Sequence, residues 1–113
     1  MKSAALMAKL VSQDPKAGNV NDIFNAATVK SANAFGIDAG VAVGKVADIM
    51  LISLDNPIMQ ANHNTISNLV YAADSSVVDT VICDGNILML HRVVPQEEEI
   101  LYYAKSCCRK FRR

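Results

Sequence analysis

Apolar positions follow helical spacing up to about residue 36, and short β-rich runs replace that spacing further on. Residues 2 to 12 predict a helix: Leu6, Met7, Leu10 and Val11 form two i,i+4 pairs on one stripe, with Lys2 and Lys9 polar. Asp14-Pro15 stops it, because proline cannot continue the hydrogen-bond ladder. After a loop through Gly18, a second helix is expected from about Asn21 to Phe35. Asn19 or Asn21 caps it, and Asp22 suits the positive end of its dipole. Ile23, Phe24, Ala27 and Phe35 mark its buried side, and Gly36 is placed to end it in a left-handed turn.

From Val41 onward the apolar runs are strand-like: Ile49 to Leu54, Val77 to Cys83, and Ile87 to Val94. The first is nearly all apolar, as expected of a strand covered on both faces. The last two flank Asp84-Gly85, a hairpin signal that sets Ile82 against Ile87 and Val81 against Leu88. A short helix fits between Thr65 and Ala73, after the polar Asn62-His63-Asn64. The last helix begins near Pro95, with Ile100, Leu101, Ala104, Cys108 and Phe111 on its apolar face. Glu97 to Glu99 load its start, and Arg109, Lys110, Arg112 and Arg113 load its end, both complementing the macrodipole.

Composition narrows the classes. One small domain fits 113 residues, and a 51% hydrophobic chain can bury a core. Eleven basic and eleven acidic side chains cancel, so nucleic acid and anionic lipid are not favoured partners. Three cysteines, two of them adjacent, do not make a disulfide framework and suit a reduced, cytoplasmic protein. The apolar start of the chain is broken at Lys9 and lacks a small-residue cleavage pattern, so no signal peptide is expected.

Candidate chemistry is sparse. Gly40-Val41-Ala42-Val43-Gly44-Lys45 has three residues between its glycines and Val46 after the lysine. A phosphate-binding loop needs four, then Ser or Thr, so a turn into the strand at Ile49 is expected instead. His63 and His91 are the only histidines, whereas a catalytic zinc site normally takes three protein ligands. His91 is expected mid-strand, with Cys83 and Asp84 at the far end of the same hairpin, in a spacing that fits no familiar ligand pattern. Cys83 could act as a nucleophile only beside a histidine, and Cys107-Cys108 reads as helix surface. The basic cluster Arg109 to Arg113 is explained by helix capping. Glu97 to Glu99 point around a helix and do not converge on one ion. The residues give no catalytic, cofactor-binding or metal-ligating constellation.

A family resemblance enters at Gly44-Lys45-Val46-Ala47-Asp48-Ile49-Met50-Leu51-Ile52. This run resembles the Gly-Lys-x-Ala-Asp signature, followed by an apolar run, near the C-terminus of metal-dependent amidohydrolases. Upstream, Ala26-Ala27-Thr28 and Ala32-Asn33-Ala34-Phe35-Gly36 resemble that superfamily's Ala-Thr and Gly-Ala-x-Ala-Leu-Gly helix. Downstream, Asn68-Leu69-Val70-Tyr71-Ala72-Ala73 and Val78-Asp79-Thr80-Val81-Ile82-Cys83-Asp84-Gly85 resemble segments of one branch. That branch contains the 5-methylthioadenosine/S-adenosylhomocysteine deaminases and chlorohydrolase-like enzymes. Lys30-Ser31 where Asn-Gly is common, Phe35 for leucine and a shorter Gly40-to-Gly44 spacing mark a diverged member.

The resemblance implies an α+β chain in two parts. Residues 1–40 would be the last helices of an amidohydrolase barrel, two N-terminal helices left from a TIM-like barrel. Residues 41–113 would be part of a small β-sandwich-type composite domain with a closing C-terminal helix. The parent activity implied is hydrolysis of C–N bonds in purine-nucleoside-like or triazine-like substrates. Its zinc or iron would be held by histidines and an aspartate that precede the region matching Met1 onward. The chain alone is therefore expected to hold no metal or other cofactor and to be inactive, and to self-associate through exposed apolar faces and sheet edges. A stand-alone, non-catalytic interaction module of the same fold is the alternative, and a Cys83-dependent enzyme is a third.

Overall fold

The first helix, α1 (Lys2–Ser12), forms where the spacing places it, and closes on Gln13 in the left-handed conformation (φ 52°). Asp14-Pro15 thus follows the helix end; the Asp14 carboxylate accepts from the Lys16 N–H at 2.8 Å to shape the turn. Lys9 ties that turn back to the helix, donating from Nζ to the carbonyls of Pro15 (2.7 Å) and Ala17 (2.8 Å). The computed structural model describes residues 1–60 and 62–110.

Where one helix is expected over 21–35, there are two: α2 (Val20–Ala27) and α3 (Val29–Ala34). The break falls at Thr28, whose backbone leaves the helical basin (φ −122°, ψ −102°). Its hydroxyl donates back to the Phe24 carbonyl at 2.8 Å, a local bond that competes with the helical ladder. Asn19 is the cap of α2, its side-chain oxygen accepting from the Asn21 N–H at 2.9 Å. Gly36 (φ 72°) ends α3 as expected: its N–H reaches Asn33 and the Ile37 N–H reaches Ala32, the paired bonds of a Schellman ending. Phe35, expected on the buried side, is 83% exposed. A residue at the helix exit points wherever the left-handed turn aims it, and here that is away from the chain.

After the bends of residues 37–48 comes a three-stranded antiparallel sheet in the order β1 (Ile49–Ile52), β2 (Val78–Cys83), β3 (Asn86–Met89). Between β1 and β2 lies α4 (Thr65–Tyr71), capped by the Asn64 side chain, which accepts from the Ser67 N–H at 2.9 Å. Short 3₁₀ turns at Pro57–Met59 and Ser75–Val77 flank it; nothing in the apolar spacing signals them. Asp84 (φ 47°) and Gly85 (φ 75°) both adopt the positive φ that a type I′ turn demands. Ile82 pairs with Ile87 as the turn predicts, but Val81 pairs with Met89 and not Leu88, because an irregularity between Val81 and Ile82 shifts the ladder.

Two strand expectations are corrected. The run from Ile49 stops at Ile52, and its middle residues Met50 and Leu51 are both more than half exposed, so β1 is not covered on its two faces. The run from Ile87 stops at Met89, where His91 (φ 49°) and Arg92 (φ 66°) make a second tight turn closed by the Leu90–Val93 bridge. His91 is therefore a turn residue and not mid-strand.

The last helix, α5 (Glu97–Lys110), starts two residues after Pro95, behind Gln96 in the left-handed conformation (φ 69°). It does not close over the sheet: Ile100, Leu101, Ala104 and Cys108, expected on its buried face, are all exposed. Phe111, Arg112 and Arg113 lie outside the described residues. Among those described, no helix is long and apolar enough to cross a membrane.

The core is small. Among the described residues, Ala5 of α1, Met59, Val70 of α4 and Val77 are the buried apolar ones, gathered where α1, α2 and α4 meet near the start of β2. The radius of gyration is 17.7 Å, where a compact chain of this length has roughly 13 Å. The accessible surface is 8837 Å², against roughly 6,100 Å² for a compact monomer of this mass.

Candidate functional site

Polar side chains converge at the two ends of the β2–β3 hairpin. At the turn end, Asp48 accepts from the Asp84 N–H at 2.7 Å, and the Gly85 N–H reaches the Ala47 carbonyl at 3.1 Å. The Ala47-Asp48 step thus clamps the hairpin turn from the strand across the sheet. Lys45, in the same run, pairs with Asp38 and so fixes the loop that enters β1. The Asp48 carboxylate raises the pKa of the Cys83 thiol, with burial and Asp84 acting in the same direction. A thiol held protonated by carboxylates is a poor nucleophile.

At the other end, Asp79 on β2 gathers three partners. The Thr80 hydroxyl donates to Asp79 Oδ2 at 2.8 Å, His91 Nδ1 lies 3.2 Å from the same oxygen, and the Arg92 N–H donates to the Asp79 carbonyl at 2.8 Å. The Thr80 oxygen in turn lies 3.4 Å from the His91 N–H. Thr80 is 3% exposed, the one buried polar side chain among the described residues, and both bonds satisfy it. Its hydroxyl holds the Asp79 carboxyl below the usual range; desolvation opposes this, and His91 and Arg92 add to it.

Chemically, the second cluster is a His–Asp pair without a reactive partner. The hydroxyl beside it is buried and engaged, and Cys83 belongs to the opposite end of the hairpin, with Asp48 as its partner. His63 sits in the loop before α4, on the surface. The loop from Gly40 to Lys45 is a series of bends leading toward β1, as its spacing predicts. Glu97 to Glu99 are exposed on the first turn of α5, and Cys107, Cys108 and Arg109 are exposed near its end.

Among the described residues no three His, Cys, Asp or Glu side chains come together to hold a metal ion. A catalytic metal centre takes three protein ligands around one open position. Sequence reading missed the roles of Asp48 and Asp79. Asp48 is signalled only through the signature it belongs to, and the gathering at Asp79 by nothing local, because beyond the adjacent Thr80 its partners are His91 and Arg92 across the hairpin.

The architecture has counterparts among known proteins. Residues 1–88 match the amidohydrolase family, and the chain belongs to that family. It is 46% identical over 102 residues to 5-methylthioadenosine/S-adenosylhomocysteine deaminase 1 of Archaeoglobus fulgidus, covering 89% of this chain and 24% of that protein. It is 43% identical over 107 residues to 5′-deoxyadenosine deaminase of Methanospirillum hungatei, covering 94% and 24%. A solved structure, a zinc-bound adenosine deaminase from Xanthomonas campestris, superposes with a TM-score of 0.86 at 28% identity, over 98% of this chain and 26% of that one. The chain thus spans about a quarter of the length of the relatives it matches.

Proposed function

We propose that this chain is the C-terminal quarter of a metal-dependent deaminase acting on adenosine-type nucleosides, and that the metal centre belongs to the remaining three quarters. Residues 1–40 supply the last helices of the barrel, and residues 41–113 supply part of the small β-sandwich. The observation that carries this reading is the outward stripe of α1. Leu6, Met7, Leu10 and Val11 are 50, 58, 72 and 78% exposed, while the small Ala5 makes the inward contact. An amphipathic helix whose large apolar residues face water is built for a surface that these residues do not contain. The share of length matched and the deaminase names of the relatives support the same assignment.

A stand-alone module would bury its own apolar stripes, and the exposure of α1 weighs against it. The Cys83-dependent enzyme is opposed by the carboxylate that keeps the thiol protonated. Alone, the chain self-associates through its apolar faces and the edge strands β1 and β3. Nucleic acid and membrane are not its partners, and the cytoplasm is its setting.

Complementation tests the assignment. The Archaeoglobus fulgidus relative, truncated to remove its own last quarter, is co-expressed with this chain. Ammonia release from 5′-deoxyadenosine and 5-methylthioadenosine is then measured with zinc or iron supplied. Neither piece alone is expected to turn over, and the pair is. Turnover by this chain alone, or failure of the soluble pair to associate, would overturn the assignment.

A further inference from the structure

The helix α5 lies outside residues 1–88, which the family model matches, although the zinc-bound deaminase superposes over 98% of the chain; the exposed stripe of α5 has a feature that α1 lacks. Ile100, Leu101, Ala104, Cys107 and Cys108 recur at helical spacing along one side, all exposed. Along one edge of that stripe stand Glu98 and, seven residues on, Lys105, with Arg109 one turn further; all three are exposed. The acid is at the start of the edge and the base at its end. Such an edge is complementary to itself when reversed.

We infer that α5 is a dimerisation element that pairs antiparallel with α5 of a second copy of this chain. A two-fold axis passing midway between residues 98 and 105 sets each Glu98 against the copy's Lys105. It also seats each Leu101 between Leu101 and Ala104 of the copy, a large side chain beside a small one. A parallel pair would stack Glu97 to Glu99 on themselves and Lys105 on itself, so the charges select the antiparallel form. The stripe of α1 has no such edge. Its charged residues are Lys2 and Lys9, with no acid in the helix and Lys9 turned back onto the Pro15 and Ala17 carbonyls, so two copies would find no complementary pair there. This inference refines the self-association stated above and does not depend on the deaminase assignment.

The full chain is measured by sedimentation equilibrium over a concentration series, as wild type, Glu98→Lys, Lys105→Glu, and an equimolar mixture of the two variants. Wild type is expected to dimerise. Each variant alone replaces two attractive pairs by two repulsive ones and should weaken the dimer on the order of tenfold or more. The mixture should recover it, because a chain carrying only lysine at the two positions then meets a chain carrying only glutamate, and both pairs are restored. Helical circular dichroism of each variant checks that α5 still forms, and recovery in the mixture excludes misfolding independently. Leu6→Glu with Leu10→Glu, on α1, should leave the dimer intact. A monomeric wild type, variants that dimerise as wild type does, or a mixture that fails to recover overturns the proposal. So does loss of complementation by the charge variants with no change in mass, which would place α5 on the deaminase remainder instead.

Discussion

Asp48 illustrates how one side chain of a signature holds a turn in place. Asp48→Ala removes the acceptor of the Asp84 N–H and should cost about 1 kcal/mol in urea unfolding, whereas Asp48→Asn keeps an acceptor and should cost less. Both changes remove the charge that raises the Cys83 thiol. In a Cys107→Ser/Cys108→Ser background, Cys83 should therefore react faster with a thiol reagent near neutral pH, and its labelling profile should move to lower pH. An unmoved profile would mean that the carboxylate does not govern the thiol. Asp79 has the opposite sign. Its folded pKa is depressed, so its contribution is present above the unfolded carboxylate value near pH 4 and is lost as pH falls through the folded value. Thr80→Val removes the largest cause of that depression. Its stability deficit should be greatest near neutral pH and shrink on acidification, as read from urea midpoints at pH 6 and pH 3.

Elements divide by how much of their geometry is local. The Asp84-Gly85 turn was legible because positive φ at two successive positions is a property of those residues, and Gly85→Ala should cost about 1 kcal/mol for that reason. The caps at Asn19 and Asn64 and the ending at Gly36 rest on the same local chemistry. The break at Thr28, the slip that sets Val81 opposite Met89, and the second turn at His91 were not legible. Each depends on bonds whose partners apolar periodicity does not record, such as Thr28 to Phe24 or Arg92 to Asp79. The α1 stripe gives the sharpest test at this scale. Leu6→Gln with Leu10→Gln should change the stability of the isolated chain by less than about 1 kcal/mol, since Leu10 is largely exposed and Leu6 half exposed. In the complementation assay the same pair should abolish recovery of deaminase activity, because there the stripe has to be buried.

For the whole molecule, an accessible surface roughly 2,700 Å² above that of a compact monomer is too large to leave without an experimental signature. The isolated chain should bind a hydrophobic dye strongly and unfold with a shallow dependence on urea. Both properties should revert towards those of an ordinary domain when the truncated relative is added. A chain that binds no dye and unfolds steeply by itself would show that it has covered these faces.

The residues by themselves determined which stretches are helical and which are strand-like, which turn joins β2 to β3, and through ordered motifs the family to which the chain belongs. These follow from backbone preferences and side-chain periodicity, which act over a few positions. Tertiary structure alone decided which apolar faces are buried. Periodicity marks a face as suited to burial but cannot supply the surface that buries it, and α1, β1 and α5 carry such faces without a cover. It also decided the roles of Asp48, whose partner Asp84 is 36 positions away, and of Asp79, which meets His91 and Arg92 only once the hairpin has closed.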